Sequence, residues 1–228
     1  MVMTAETRTK SLFEWLGEVH DPRSRHGRRY PLRGILAMLI LGALHGESSL
    51  RGMWMWGCKR WAELAWPLGF WGNPRAPSYG TVWYVLAALT GEDLAPVDQW
   101  MVSFIAGRHE VISVDGKVHG GSRRRDPPQS ALEEVTAVAQ GLRIVLGQEE
   151  VGDGGQVAAT IALLHKLPLR GQVVVADAGL LCRSVVDGIT QAGGDYVGLV
   201  KNNQPQLKEA LDTWIDQQIF PPGATKTP

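Results

Sequence analysis

Val111-Ile112-Ser113-Val114-Asp115-Gly116 and, further on, Gln172-Val173-Val174-Val175-Ala176-Asp177 decide how this chain is read. Each is a short β-branched run that closes on an aspartate, and such runs between turn residues read as buried strands. The Asp-Gly pair after the first run predicts a turn there. Around the two runs helices and strands alternate. A hairpin is expected over Val135–Ala139 and Leu142–Gln148, joined at Gln140-Gly141, followed by a glycine-rich break at Gly152–Gly155 and a helix from Val157 to His165. After the second aspartate come a helix from Leu181 to Ala192, a strand from Tyr196 to Val200 and a helix from Gln206 to Gln217. This alternation calls for an α/β fold whose mixed sheet has parallel members and helices on its faces.

Upstream the pattern is helical throughout. Leu12, Phe13, Leu16 and Val19 share one face of a helix over Thr9–Val19, which His20-Asp21-Pro22 ends. A second helix starts at Pro31 and runs through the apolar stretch Ile35–Leu44 to a glycine stop at Gly46. Ser48 or Ser49 caps a third through Arg51 to Leu64, Gly69–Pro77 is turn-rich linker, and Ser78 caps a helix over Val82–Leu89 before another over Asp93–Ile105. The expected organisation is an all-α region over 1–107 and an α/β region over 108–228.

The 228 residues balance 23 basic against 23 acidic side chains, so the formal net charge is +0 and any nucleic acid must be met by local patches. One patch is the stretch from Arg23 to Arg33, which holds Arg23, Arg25, Arg28 and Arg29 and no acid. A second is the segment Gly116–Pro128, read as a flexible loop carrying Lys117, Arg123, Arg124 and Arg125. Both read either as DNA-backbone contacts or as solvated loops. Cys58 and Cys182 have no metal-ligand spacing and read as free thiols. The longest apolar run falls short of the ~20 residues of a membrane span, and the amino terminus lacks a secretory stretch, so a cytoplasmic protein without a membrane partner is expected. Trp54, Trp56, Trp61 and Trp66 read as core rather than as stacking platforms for bases.

The two aspartates admit two readings. Asp115 can simply open a turn and Asp177 cap the next helix. If their strands are neighbours, however, the carboxylates converge at the carboxyl edge of a sheet, where ligands collect. Two such groups side by side repel unless a cation lies between them, and Mg²⁺ takes oxygen ligands from carboxylates and substrate phosphates.

Several motifs carry a resemblance. Val114-Asp115-Gly116-Lys117, Val145-Leu146-Gly147-Gln148, Val174-Val175-Ala176-Asp177-Ala178, Gly193-Gly194-Asp195-Tyr196-Val197 and Lys201-Asn202-Asn203-Gln204 stand in the order of the DDE transposases of bacterial insertion sequences. Asp21-Pro22-Arg23, Gly27-Arg28-Arg29-Tyr30-Pro31-Leu32 and Pro77-Ser78-Tyr79-Gly80-Thr81 fit the H-repeat-associated branch of the insertion-sequence-four superfamily. The resemblance implies a ribonuclease-H-like fold with Asp115 and Asp177 as catalytic acids and metal ligands. It further implies two Mg²⁺ or Mn²⁺ ions, and transposon-end DNA as partner with Lys201 among its contacts; a homodimer is compatible with it. Two departures are visible. Gln156 stands where the family has an acid, and no His-Gly-Arg-x-Glu motif precedes Pro228, Glu209 being a poor substitute. On that reading the sheet domain is incomplete, the protein is a truncated transposase with little strand cleavage of its own, and a non-catalytic DNA-binding or regulatory remnant is the alternative.

Overall fold

In the computed structural model, which describes residues 10–122, 124–125, 128–129, 131–180, 182–202 and 204–219, the alternation becomes one five-stranded sheet. The chain divides into two compact units, Met1–Trp100 and Met101–Pro228.

The first unit is helical. Ser11 and Glu14 form a reciprocal capping box that starts α1 (Leu12–Leu16). α2 (Leu32–Leu44) is apolar apart from Arg33 because most of it is buried, with Ile35 and Met38 fully enclosed and only its last turn, at Ala43 and Leu44, exposed. Ser49 caps α3 (Leu50–Lys59), and the single helix expected to run on to Leu64 instead breaks at Arg60 before α4 (Trp61–Leu64). The break accompanies the seating of Trp61 against Phe70 and Tyr30, at ring separations of 4.8 and 6.4 Å. α5 (Tyr79–Ala88) begins at the expected Ser78 cap, and α6 (Ala95–Ser103) follows. Among the described residues no helix is long and apolar enough to cross a membrane.

The second unit holds β1 (Val111–His119), β2 (Arg124–Arg125), β3 (Pro128–Gln129), β4 (Leu132–Ala139), β5 (Ile144–Glu150), α7 (Gly155–His165), β6 (Val173–Ala176), α8 (Arg183–Gln191), β7 (Asp195–Gly198) and α9 (Pro205–Ile219). The large sheet has the order β5-β4-β1-β6-β7; β2 and β3 form a separate ribbon. β5, β4 and β1 pair antiparallel, whereas β6 joins β1 and β7 joins β6 in parallel. α7 packs on β4 and β5, and α8 on β7 and α7. Ile112, Val114, Val135, Ala137, Leu146, Leu163 and Val174 bury the core between them.

Two expectations fail here for the same reason. Asp115-Gly116 is no turn: β1 runs on to His119, pairing Asp115 with Thr136 and Gly116 with Val135, so the first residues of the expected basic loop are strand. Cross-strand pairing overrides the local preference of Asp-Gly, and the glycine serves close approach instead. A Cβ at Gly116 would come within 2.9 Å of the Gln156 carboxamide, which hydrogen-bonds Glu133 on β4. The hairpin connection spans 140–143 rather than two residues; its left-handed position is Arg143, at φ 57°. Gly141 is instead where the chain passes Glu110, whose carboxylate accepts its N–H at 3.2 Å.

One buried polar side chain sets the register of the parallel pair. Gln172 is 3% exposed; its Oε1 accepts the Glu110 N–H at 2.7 Å and its Nε2 donates to the Arg108 carbonyl at 2.7 Å. Both ends of the amide are spent on the residues just before β1. Replacing it, Gln172→Leu, strands a buried donor and acceptor and is expected to cost about 1–3 kcal/mol. Urea denaturation of the full chain measures the loss; an unchanged midpoint would show that water takes over both groups.

Candidate metal and nucleic-acid site

The register of β1 on β6 places the two aspartates. Val114 pairs with Ala176, so Asp115 and Asp177 each stand one residue beyond that pair, where the parallel ladder ends, Asp115 within β1 and Asp177 just past β6. Neighbouring strands lie about 4.8 Å apart. The alternation that buries Ile112, Val114 and Val174 towards the helices turns Ser113, Asp115 and Val175 to the other face, and Asp177, also exposed, continues that pattern. The geometry therefore brings together the two candidate ligands that the sequence kept far apart.

Lys201 completes the immediate surroundings. Its Nζ donates to Asp177 Oδ1 at 2.7 Å, the two side chains being 58% and 55% exposed. That ammonium, helped by the Ala178 N–H, holds the Asp177 carboxyl below its ordinary value of 3.8. Lys201, expected as a DNA contact, is thus also the counter-ion of a candidate ligand. Asp177, Lys201, Asn202 and Lys208 border an open depression of about 650 Å³.

Beside Asp115 the same face carries Lys117, exposed, and Thr136. Next along β4 is Glu134, which the sequence reading passed over. Its Oε1 accepts from Gln148 Nε2 at 3.0 Å and lies 2.8 Å from His119 Nε2, out of hydrogen-bonding alignment. The available signal was parity, because in a strand Glu134 must share the face of Thr136 while Glu133 faces α7. Among the described residues no three His, Cys, Asp or Glu side chains form a group able to hold a metal ion. Glu209 stands exposed on α9.

The arginines divide. Arg23 forks onto Asp21, at 2.9 and 2.8 Å, and donates to the Tyr30 carbonyl at 2.8 Å, leaving its buried Nη1 without a partner. Arg28 donates to the carbonyls of Asp21 and Arg23 at 2.8 and 2.6 Å. Burial pushes the Asp21 carboxyl up, but the bonds from Arg23 and the charge of Arg28 outweigh it and hold the group below its ordinary value. These two arginines fasten their own loop. Arg25 is exposed with no partner among the described residues, and Arg29 donates to Asn73 Oδ1 at 3.0 Å. Arg124 and Arg125 form β2, and Arg123 lies outside the described residues. Of the tryptophans, Trp56 is buried and Trp54 and Trp61 hydrogen-bond loop carbonyls, as core residues would; Trp66 is 76% exposed and does not belong to the core.

Comparison with known proteins adds an independent line. Residues 13–101 match the DDE_Tnp_1-associated family model. The "H repeat-associated putative transposase YbfD" of Escherichia coli strain K12 is 28% identical over 115 residues, 50% of this chain and 46% of that protein. The "Putative protein YbfL" of the same strain is 23% identical over 89% of this chain and 54% of its own length. The "Putative transposase YncI" of Escherichia coli O157:H7 is 23% identical over 92% of this chain and 54% of its own. The chain spans about half the length of these relatives.

The Lys201–Asp177 pair has a pH signature. A carboxyl depressed in the folded state contributes stability above its unfolded value, and loses it as pH falls through the lower folded value. For Asp177 the loss therefore falls below about pH 3.8. Lys201→Ala should move the Asp177 titration, followed by carboxyl carbon NMR, back up towards 3.8 without fully reaching it, since the Ala178 N–H remains. A midpoint that stays where it was would mean that the ammonium does not hold the carboxylate in solution.

Proposed function

From a chain that is a DDE transposase relative of the H-repeat-associated branch, its residues 13–101 a DDE_Tnp_1-associated region, we propose a protein that binds DNA and uses Asp115 and Asp177 to hold divalent cations for phosphodiester cleavage and strand transfer. The observation that carries this reading is the side-by-side placement of the two aspartates, each one residue beyond the last pair of the parallel β1–β6 ladder. The sheet order β5-β4-β1-β6-β7, antiparallel on one side of β1 and parallel on the other, supports a ribonuclease-H-like assignment for 108–228, with 1–107 as the helical transposase-associated region.

The donor set suits Mg²⁺ or Mn²⁺. Two neighbouring carboxylates offer hard oxygen ligands, and the lysine now beside one of them supplies a single positive charge where a dication would supply two. When bound, such ions supply Lewis-acid stabilisation of charge at the attacked phosphodiester, worth several kcal/mol. The chain's own side chains do the rest. Asp115, fixed in mid-strand, positions one ligand; Asp177, oriented by the Ala178 N–H, positions the other. Lys201, once released from Asp177, offers its ammonium to a backbone phosphate, and Lys117 does so beside Asp115.

The non-catalytic reading also has an observation in its favour. Among the described residues no third acid joins the pair, and Asp177 is already neutralised by Lys201. In that case the protein binds DNA through its cations alone.

Titration calorimetry with Mn²⁺ separates the two. On the proposed reading the full chain binds Mn²⁺, and Asp115→Asn or Asp177→Asn abolishes that binding while leaving DNA affinity in place. Mg²⁺-dependent nicking of supercoiled plasmid, where observed, falls by roughly a hundredfold or more in either variant. Lys201→Ala removes a competing positive charge and should tighten Mn²⁺ roughly threefold to tenfold. DNA binding with no Mn²⁺ uptake would favour the non-catalytic reading.

A further inference from the structure

A concavity of about 590 Å³ in the amino-terminal unit is lined by Arg29, Tyr30 and the 74–76 loop and closed by Ser78 and Thr81. No carboxylate is among the described residues that line it, and the bonds of its walls engage the loop's acceptors. Core side chains take up the carbonyls of the adjoining loop. Trp61 Nε1 donates to Asn73 O at 3.3 Å, the Tyr30 hydroxyl to Arg75 O at 3.1 Å and more weakly to Ala76 O, and Trp54 Nε1 to Pro77 O at 2.8 Å. Three aromatic residues thereby hold the loop's acceptors towards the core.

What remains for the concavity is positive. Arg29 is anchored through Nε to Asn73 Oδ1, and Asn73 Nδ2 returns a bond to Arg29 O at 3.3 Å. The Arg29 guanidinium lies over the Tyr30 ring, 5.6 Å from its centroid, and neither its two terminal nitrogens nor the Arg75 guanidinium has a hydrogen-bond or salt-bridge partner among the described residues. The ten-residue α5 starts at the rim, where Ser78 Oγ accepts the Thr81 N–H at 3.1 Å; the main-chain N–H groups of Tyr79 and Gly80 precede the first helical acceptor. Two guanidinium forks and a helix start around one open cavity match a phosphate oxyanion.

We propose that this concavity grips a phosphodiester of the DNA backbone, with Arg75, Ser78 and Thr81 acting alongside Arg29. The proposal rests on the DNA-binding reading and extends it to a site that the basic stretch alone did not identify. Exposure favours a polymer over a free anion, because Arg29, Arg75 and Ser78 are all exposed and a small free anion would stay largely hydrated at such a mouth. A backbone phosphate is held there by the rest of the duplex.

The test is binding of the full chain to a fluorescent DNA duplex over a series of salt concentrations. Loss of one phosphate contact reduces the slope of log affinity against log salt by about 0.9. Arg75→Gln and Arg29→Gln should each show that reduction, with several-fold weaker binding that is the same for unrelated sequences. Arg29→Gln also disturbs Asn73, so Thr81→Glu provides the check on folding. With Ser78 at the cap, a glutamate three residues on completes a capping box, so the melting temperature should hold or rise while a negative charge closes the cavity to phosphate. DNA binding with unchanged slopes in Arg75→Gln and Thr81→Glu overturns this site and leaves the transposase reading standing. Failure of the unaltered chain to bind DNA at low salt overturns both. Inorganic phosphate that raises the melting temperature through Arg75, with DNA affinity unaltered in Arg75→Gln, marks a free-anion site and overturns the assignment to DNA.

Discussion

The parallel pairing of β1 with β6 is the constraint on which the candidate chemistry depends, and Gln172 is the side chain that enforces it. Parallel strands are not joined by a tight turn, so their register must come from elsewhere. Here one amide satisfies both the N–H of Glu110 and the carbonyl of Arg108, and Val173 N–H bonds the Glu110 carbonyl directly beside it. A slip of one residue would break these bonds and turn Val174 out of the core. It would also move Asp177 out of step with Asp115. Fold stability and site geometry thus share one determinant.

Placing two carboxylates together creates an electrostatic problem that the chain meets with a single flexible cation. Lys201 lowers the Asp177 carboxyl, which is ionised at neutral pH in either case, and supplies the counter-charge that a cation would otherwise provide. A lysine is suited to this. Its ammonium is a point charge on a long stem, bound by one contact and exposed, so it can be displaced, whereas a forked arginine is harder to dislodge. Glu134, by contrast, accepts from the Gln148 amide and stands on β4, outside the aspartate pair.

How much of this was legible depended on whether the signal was periodic or pairwise. The aspartate strands, the hairpin, the serine caps at Ser49 and Ser78 and the helical first region follow from local pattern. What local pattern misread were residues answering to distant partners. Gly116 looked like a turn because Asp-Gly usually is one; its real reason is the Gln156 side chain, forty positions away. Gly141 answers to Glu110 and not to a turn angle. Lys201 carried no mark in sequence that it would meet Asp177. Trp66, in a run of tryptophans of which three are core, could not be told apart by spacing, since α3 ends at Lys59 and the periodicity stops with it.

The basic stretch shows why counting charges is a poor guide to nucleic-acid contacts. Arg23 and Arg28 are as cationic as their neighbours, yet their donors go to Asp21 and to backbone carbonyls, which leaves little for a phosphate. Arg23, largely buried and forked onto Asp21, and Arg28, exposed and tied to two backbone carbonyls, act as struts for the turn that presents Arg29. Arg29 spends its Nε on Asn73 and lies over the Tyr30 ring, while Arg75, distant in sequence, lines the same concavity on a loop that Tyr30, Trp54 and Trp61 hold by its carbonyls. The aromatic residues of this unit therefore act at one remove from any bound strand. By drawing carbonyl oxygens into the core, they convert a neutral stretch of backbone into a surface of net positive character, and a chain whose total charge is +0 acquires a local field for an anion.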